Sequence, residues 1–267
     1  GKNLRLFKEY KNYLYKDSRF NERLPIGDMK IIRNFPYNTA KRFYNDWYRP
    51  DLMGIIVVGD FDPIYIKKII TKYFSKLENK SNRPLPNTLL PKYNETIFLN
   101  QSDEEQTNIF FTIRNKNKKL VKDTVRNTRT DIIHNLIITI VNNRFDDLSG
   151  KGNLDFDLAL IDKSSLTSKS NTFIIAGLLK ENKINKGLRS ILGELERLKQ
   201  NGFIEEELKT YKKKDISFRK QSLESKNTRD NKSHISEISR NFLENEFVIG
   251  EERELKLFKE IYKTINI

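Results

Sequence analysis

Few residues in this chain have the type and spacing that chemistry requires. Asp60 and Asp62 flank Phe61 and could bind a divalent cation through paired carboxylates, but Asp62 precedes Pro63, and a helix N-cap followed by proline at the first helical position accounts for it fully. Glu205, Glu206 and Glu207 stand together at the start of a predicted helix, where carboxylates interact favourably with the helix N-terminus; an acid and base pair would need them to face a cleft. The only histidines are His134 and His234. Neither has a second histidine four positions away, the spacing that places two imidazoles on one helix face for zinc. His134 lies within DIIHNLII and reads as an interior or boundary residue. GKGN at Gly150 to Asn153 lacks the spacer and the Lys-Ser/Thr ending of a phosphate loop and reads as a turn. The chain has no cysteine, which removes disulfides, thiolate catalysis and cysteine zinc sites together. No residue is nominated as catalytic, cofactor-binding or metal-ligating.

Charge invites a different reading. With 50 Lys and Arg against 36 Asp and Glu the formal charge is +14, and a basic face binds polyanions by releasing counterions. The densest cluster, Lys209 to Lys220, includes Lys212, Lys213, Lys214, Arg219 and Lys220 on a predicted helix, without the interleaved aromatics of a single-strand platform. It reads as a solvated helix face, and the combined richness in Lys, Asn and Ile matches AT-rich coding. A basic nucleic-acid-binding module is therefore kept only as an alternative. The sequence contains no apolar run of roughly 18 residues that would span a membrane, and no charged-then-apolar leader, so any export signal is expected upstream.

The elements that could position a site are clearest between Arg23 and Pro63. RLPIG (Arg23 to Gly27) is an apolar approach to a bend. A short helix from Asn38 or Thr39 carries Phe43 and Trp47 on one stripe and stops before Pro50. Ile55 to Val58 is a short, wholly apolar, β-branched run, as a strand covered on both faces requires. A helix capped by Asp62 then carries Ile66, Ile69, Ile70, Tyr73, Phe74 and Leu77 at spacings of three and four.

Beyond the polar, proline-containing stretch Glu78 to Pro91, strands are predicted at Thr96 to Leu99, Asn108 to Ile113, Leu158 to Ile161 and Thr172 to Leu178. A long helix from Asp123 or Thr124 runs past Phe145 with a stripe wide enough to lie flat on a sheet. The remainder is helical: Ile184 to Asn201 closed by Gly202, then Glu205 to about Ser225, Ile235 to Glu244 and Glu251 to Thr264. Strands followed by grouped helices predict an α+β fold, a mainly antiparallel sheet with helices packed on one face.

The succession RLPIG, FYNDWYRPD (Phe43 to Asp51) and IIVVGDFDP (Ile55 to Pro63) resembles the insulinase/pitrilysin family of zinc metallopeptidases. EQTNIFFTI (Glu105 to Ile113), NNRFDDLS (Asn142 to Ser149) and ERLKQNGFIEEEL (Glu196 to Leu208) follow in the order of that family's second, catalytically silent domain. The resemblance implies residues 1–78 as the end of an active-site-type domain, 79–91 as a linker and 92–267 as the inactive domain, one part of a clamshell enclosing a peptide. In the family, zinc is held by a His-x-x-Glu-His helix and a later Glu, both before RLPIG. Zinc is accordingly expected in the parent and no ligand is carried onto this chain. Implied partners are the remainder of its own polypeptide or a complementary subunit, and a peptide substrate in the parent; apart from the resemblance, poor cover for Ile55 to Val58 and for the Phe43 and Trp47 helix leads to the expectation that this region packs against a second copy of the fragment, as a homodimer, or is the more mobile part. A scaffold subunit with the peptidase fold and no zinc site is the other reading, and an exported or periplasmic location rests on the resemblance alone.

Overall fold

The computed structural model describes residues 1–23, 25–150 and 155–267. Leu24 of RLPIG and Lys151 to Asn153 of GKGN lie outside the described residues. Along the chain the helices are α1 Lys2–Leu14, α2 Arg19–Glu22, α3 Met29–Asn34, α4 Tyr37–Trp47, α5 Pro63–Phe74, α6 Val125–Gly150, α7 Ile184–Asn201, α8 Glu205–Glu224, α9 Asn231–Glu244 and α10 Glu251–Lys263; the strands are β1 Ile109–Lys118, β2 Phe156–Ser165 and β3 Ser170–Leu179. They fall into two units, one of Gly1–Asn21, Thr88–Asn227 and Ile249–Ile267, the other of Glu22–Asn87 and Thr228–Val248.

The first unit is the predicted α+β fold. Its sheet is antiparallel in the order β1-β3-β2. A tight connection in which Leu166 and Thr167 donate to the Ser170 carbonyl joins β2 to β3. Because side chains alternate across a sheet, the register Phe111↔Gly177↔Ala159 and Ile113↔Ile175↔Ile161 sets one apolar face. Val141 and Phe145 of α6 and Ile191 and Leu198 of α7 pack on that face around Phe156, Ala159 and Leu179. Contact is closest at Gly177, where a Cβ would lie 2.3 Å from a Phe111 ring carbon and 2.8 Å from Ile191 Cδ1.

Helix α6 does more than lie on the sheet. Its other side, Ile132, Leu136 and Ile140, forms a second core with Leu208 of α8 and Phe258, Ile261 and Tyr262 of α10. The wide stripe read from the sequence therefore serves two layers, which explains why a helix of this length carries apolar residues on two sides. Helix α7 begins and ends as predicted, and Gly202 adopts φ +72° with its N–H donating to Leu198. Helix α1 approaches the opposite alternation of β1: Lys116 Nζ lies 3.7 Å from the Tyr93 ring centroid and 3.4 Å from the Leu14 carbonyl, and Tyr93 donates to the Tyr13 carbonyl at 2.7 Å. The strand expected at Thr96 to Leu99 is absent. That segment forms no ladder with the sheet, and its neighbours are tied to α1 instead by Gln101 donating to Leu6 and by Arg5 pairing with Asp103 and Glu105.

The second unit holds α3, α4, α5 and α9. Asp62 caps α5 as expected, its carboxylate accepting from the Ile64 N–H at 2.8 Å. Helix α4, however, starts at Tyr37 with Pro36 as N-cap rather than from Asn38 or Thr39, because proline presets the backbone for entry. Arg49, buried behind the Pro50 turn, donates to the carbonyls of Ser81 and Arg83, and Asp46 accepts from the Ser81 hydroxyl and Arg83. The chain is thus held as far as Arg83 in this unit. In the first unit, Thr88 and Leu90 are held by Thr167 and Ser170.

Candidate functional site

The feature of the second unit that could engage a partner is the module from Tyr37 to Phe74. Phe43 and Trp47, four positions apart on α4, meet in a tilted pair at 6.4 Å, and Tyr44 and Tyr48 stack at 5.0 Å. The aromatic stripe forms as read, yet Phe43, Tyr44 and Tyr48 are each more than half exposed. Ile55 to Val58 corrects the expectation of a covered strand. It belongs to no strand, and Ile55 and Val57 are 45% and 44% exposed. The run has the composition of a central strand, but a strand exists only with a paired neighbour, and among the described residues none pairs with it. On α5, Tyr65, Tyr73 and Phe74 are exposed as well. One side of the run is closed locally: the Phe242 ring of α9 sits against Gly54, where a Cβ would come within 3.1 Å. The surface offers main-chain pairing and aromatic packing.

The residues weighed for chemistry are scattered. Asp60 and Asp62 are exposed, the latter engaged in its cap. His134 is half-buried on α6 with its ring edge-on to Phe173 at 5.0 Å, Nδ1 buried without a hydrogen-bond partner, and the Lys163–Asp131 ion pair nearby. Burial, and secondarily Lys163, pushes its pKa below the ordinary imidazole value. His234 lies on α9, in the other unit. Among the described residues no group of three His, Cys, Asp or Glu side chains could hold a metal ion, so these residues do not fit a zinc site and no zinc-dependent step is derived for them.

The carboxylates at the start of α8 diverge in role. Glu205 and Glu206 reach outward to Lys209. Glu207 takes a bidentate pair from Arg144 of α6, at 2.7 Å for each bond, and also accepts from the Ile204 N–H. Arg144 reaches the buried Glu194 of α7 at 3.3 Å, and Arg197 covers the other Glu194 oxygen. This network ties α6, α7 and α8 together and holds the Glu207 carboxyl below its usual pKa, chiefly through the Arg144 hydrogen bonds. Arg144 and Glu207 lie in the NNRFDDLS and ERLKQNGFIEEEL segments already singled out, but their pairing is not legible there because they stand far apart in the chain. Asn142, two residues earlier on α6, opens the NNRFDDLS segment, and its contact is equally non-local. Its side-chain amide donates to the Ile161 carbonyl at 3.0 Å and accepts from the Ile161 N–H at 2.8 Å.

Within the basic cluster on α8, Lys212 donates to the carbonyls of Tyr262 and Ile265 at the end of α10. Arg219 pairs with Asp215 and Glu254 and lies over the Phe258 ring. Both are turned to helix packing. Among the described residues no helix is long and apolar enough to cross a membrane.

Comparison with known proteins places these features. Residues 34–214 match the family described as the peptidase M16 inactive domain. A probable zinc protease PqqL of Haemophilus influenzae is 27% identical over 203 residues, which are 72% of this chain and 21% of that protein. A zinc protease PQQL-like protein of Arabidopsis thaliana is 30% identical over 138 residues, 51% of this chain and 14% of that one. The first half of the periplasmic protease PqqL from Escherichia coli superposes with a TM-score of 0.86 at 20% identity, covering 96% of this chain and 55% of that structure. The chain thus spans about a fifth of the Haemophilus protein and about half of the solved Escherichia coli chain.

Proposed function

The chain belongs to the peptidase M16 family through its inactive domain, and we propose that it is a non-catalytic part of a zinc-dependent metalloendopeptidase, shaping the wall of a peptide-enclosing chamber and supporting the catalytic half. The observation that carries this reading is the uncovered face of Tyr37 to Phe74, with an apolar run built for a sheet and left unpaired beside exposed aromatics. Contiguous apolar surface rimmed by polar residues marks an interaction site. Its occupant in this reading is the remainder of the parent polypeptide, which supplies a neighbouring strand. Residues 1–78 then close an active-site-type domain, 79–91 link, and 92–267 form the silent domain.

Zinc and its water-activating chemistry belong to the parent, in keeping with the relatives' names as zinc proteases. The Escherichia coli relative is named a periplasmic protease, which supports export. The purified chain, repurified to remove host peptidases, is expected to show no peptide hydrolysis, whereas the full-length parent hydrolyses peptides and loses that activity to a chelator. Chelator-sensitive hydrolysis that stays with the chain through repurification overturns the reading.

A further inference from the structure

The outer edge of β2 is where an extended polypeptide would add to this sheet, and it is closed by one side chain. β2 is an edge strand with four consecutive apolar residues, Leu158 to Ile161, opposite the apolar run of β3. An apolar, uncharged strand with an open edge templates pairing with another chain. The other edge strand, β1, ends in Arg114-Asn115-Lys116-Asn117-Lys118, and lysines at an edge oppose strand addition. The Leu158 to Ile161 run of β2 contains no charge.

In an antiparallel ladder a residue directs both its N–H and its C=O to the same side. Those of Ile161 go to Asn142, 2.8 Å and 3.0 Å away, so they face outward from β3. A carboxamide presents an N–H and an oxygen side by side, as a single residue of an antiparallel strand presents its N–H and C=O. Asn142 therefore occupies the pairing position of one residue of a neighbouring strand, from a helix that cannot continue the ladder. Two other features flank it: the register shift between Phe156 and Leu158, and the Lys163–Asp131 ion pair.

We infer that Asn142 is a strand mimic that shuts the β2 edge against addition of an extended polypeptide, above all β2 of a second copy of this chain. This inference is independent of whether the parent hydrolyses peptides. The test is hydrogen exchange at the Ile161 amide together with sedimentation velocity, on the full chain, for Asn142→Leu and Asn142→Asp. Wild type is expected to protect Ile161. In Asn142→Leu, whose folding is checked by far-UV circular dichroism, exchange of that amide rises about tenfold, the value of one net hydrogen bond, and concentration-dependent association appears. Asn142→Asp keeps the acceptor and adds a charge at the edge, so Ile161 N–H stays protected and no association is added. Unchanged exchange and unchanged sedimentation in folded Asn142→Leu overturn the inference; should that variant not fold, loss of Ile161 protection or added association in Asn142→Asp does so.

Discussion

Replacing Arg144 by Met removes the cation shared by α6, α7 and α8 while keeping an unbranched side chain of similar reach. Glu207 loses both bonds of a bidentate pair, and Glu194 loses one of its two arginines. Removing one partner of a buried ion pair costs about 3–5 kcal/mol. Here the cost is smaller, because Glu207 keeps the Ile204 N–H and some contact with water, and Arg197 still neutralises Glu194. The expected loss is about 2–3 kcal/mol, or roughly 5–10 °C in Tm for a cooperative unit of about 150–250 residues. Urea titration followed by circular dichroism at the helix band measures it. Fluorescence does not, because the single tryptophan, Trp47, lies in the other unit. The pH dependence gives a second arm. The Glu207 pKa is depressed in the native state, so its contribution is present above the ordinary glutamate value and is lost as pH falls through the native one. Arg144→Met should flatten that acid limb, and Arg144→Met with Glu207→Gln together should cost less than the sum of the single changes. A single-variant loss below about 0.5 kcal/mol, the range of neutral surface substitutions, refutes the reasoning.

His134 makes the opposite kind of test. With its native pKa lowered by burial, stability is full above the ordinary imidazole value and falls as pH drops through it toward the native one; His134→Phe should remove that dependence between pH 7 and 5, read by thermal melts. Gly177→Ala forces a methyl against Phe111 and Ile191 and should destabilise the first unit by about 1–3 kcal/mol as overpacking, read by urea titration at the helix band. Val57→Lys, on the exposed apolar run, should raise the solubility of the isolated chain with little change in Tm, read by light scattering, and should weaken assembly with the rest of the parent.

What the sequence makes legible is local. Helix α7 carries a single apolar stripe and ends at a glycine that adopts positive φ, so its extent and its C-terminal stop are encoded nearby. Asp62-Pro63 announces α5 by the same means. The run Ile55 to Val58 is apolar as read but belongs to no strand, because strand pairing is non-local and no count of β-branched residues supplies a neighbour. Three adjacent glutamates look alike in sequence, yet only Glu207 meets Arg144, because the way α8 packs on α6 turns that position inward. Asn142 opens the NNRFDDLS motif, but nothing in the sequence shows that it lies beside the Ile161 backbone.

The family signature and the self-sufficient core also lie in different places. RLPIG, FYNDWYRPD and IIVVGDFDP all fall in the second unit, where the helices bury no residue fully and the large apolar side chains stay in contact with solvent. The first unit, with two buried clusters, carries the weaker motifs. A core can be filled by many apolar sequences of suitable volume, so its pattern identifies a fold class more readily than a family. An exposed face with fixed aromatics, a buried arginine at a turn and a strand-like run is constrained by whatever it packs against. In the reading proposed above, the strongest motifs in this chain line the face that the remainder of the parent covers, and the complementing segment should bury Phe43, Ile55 and Val57 together.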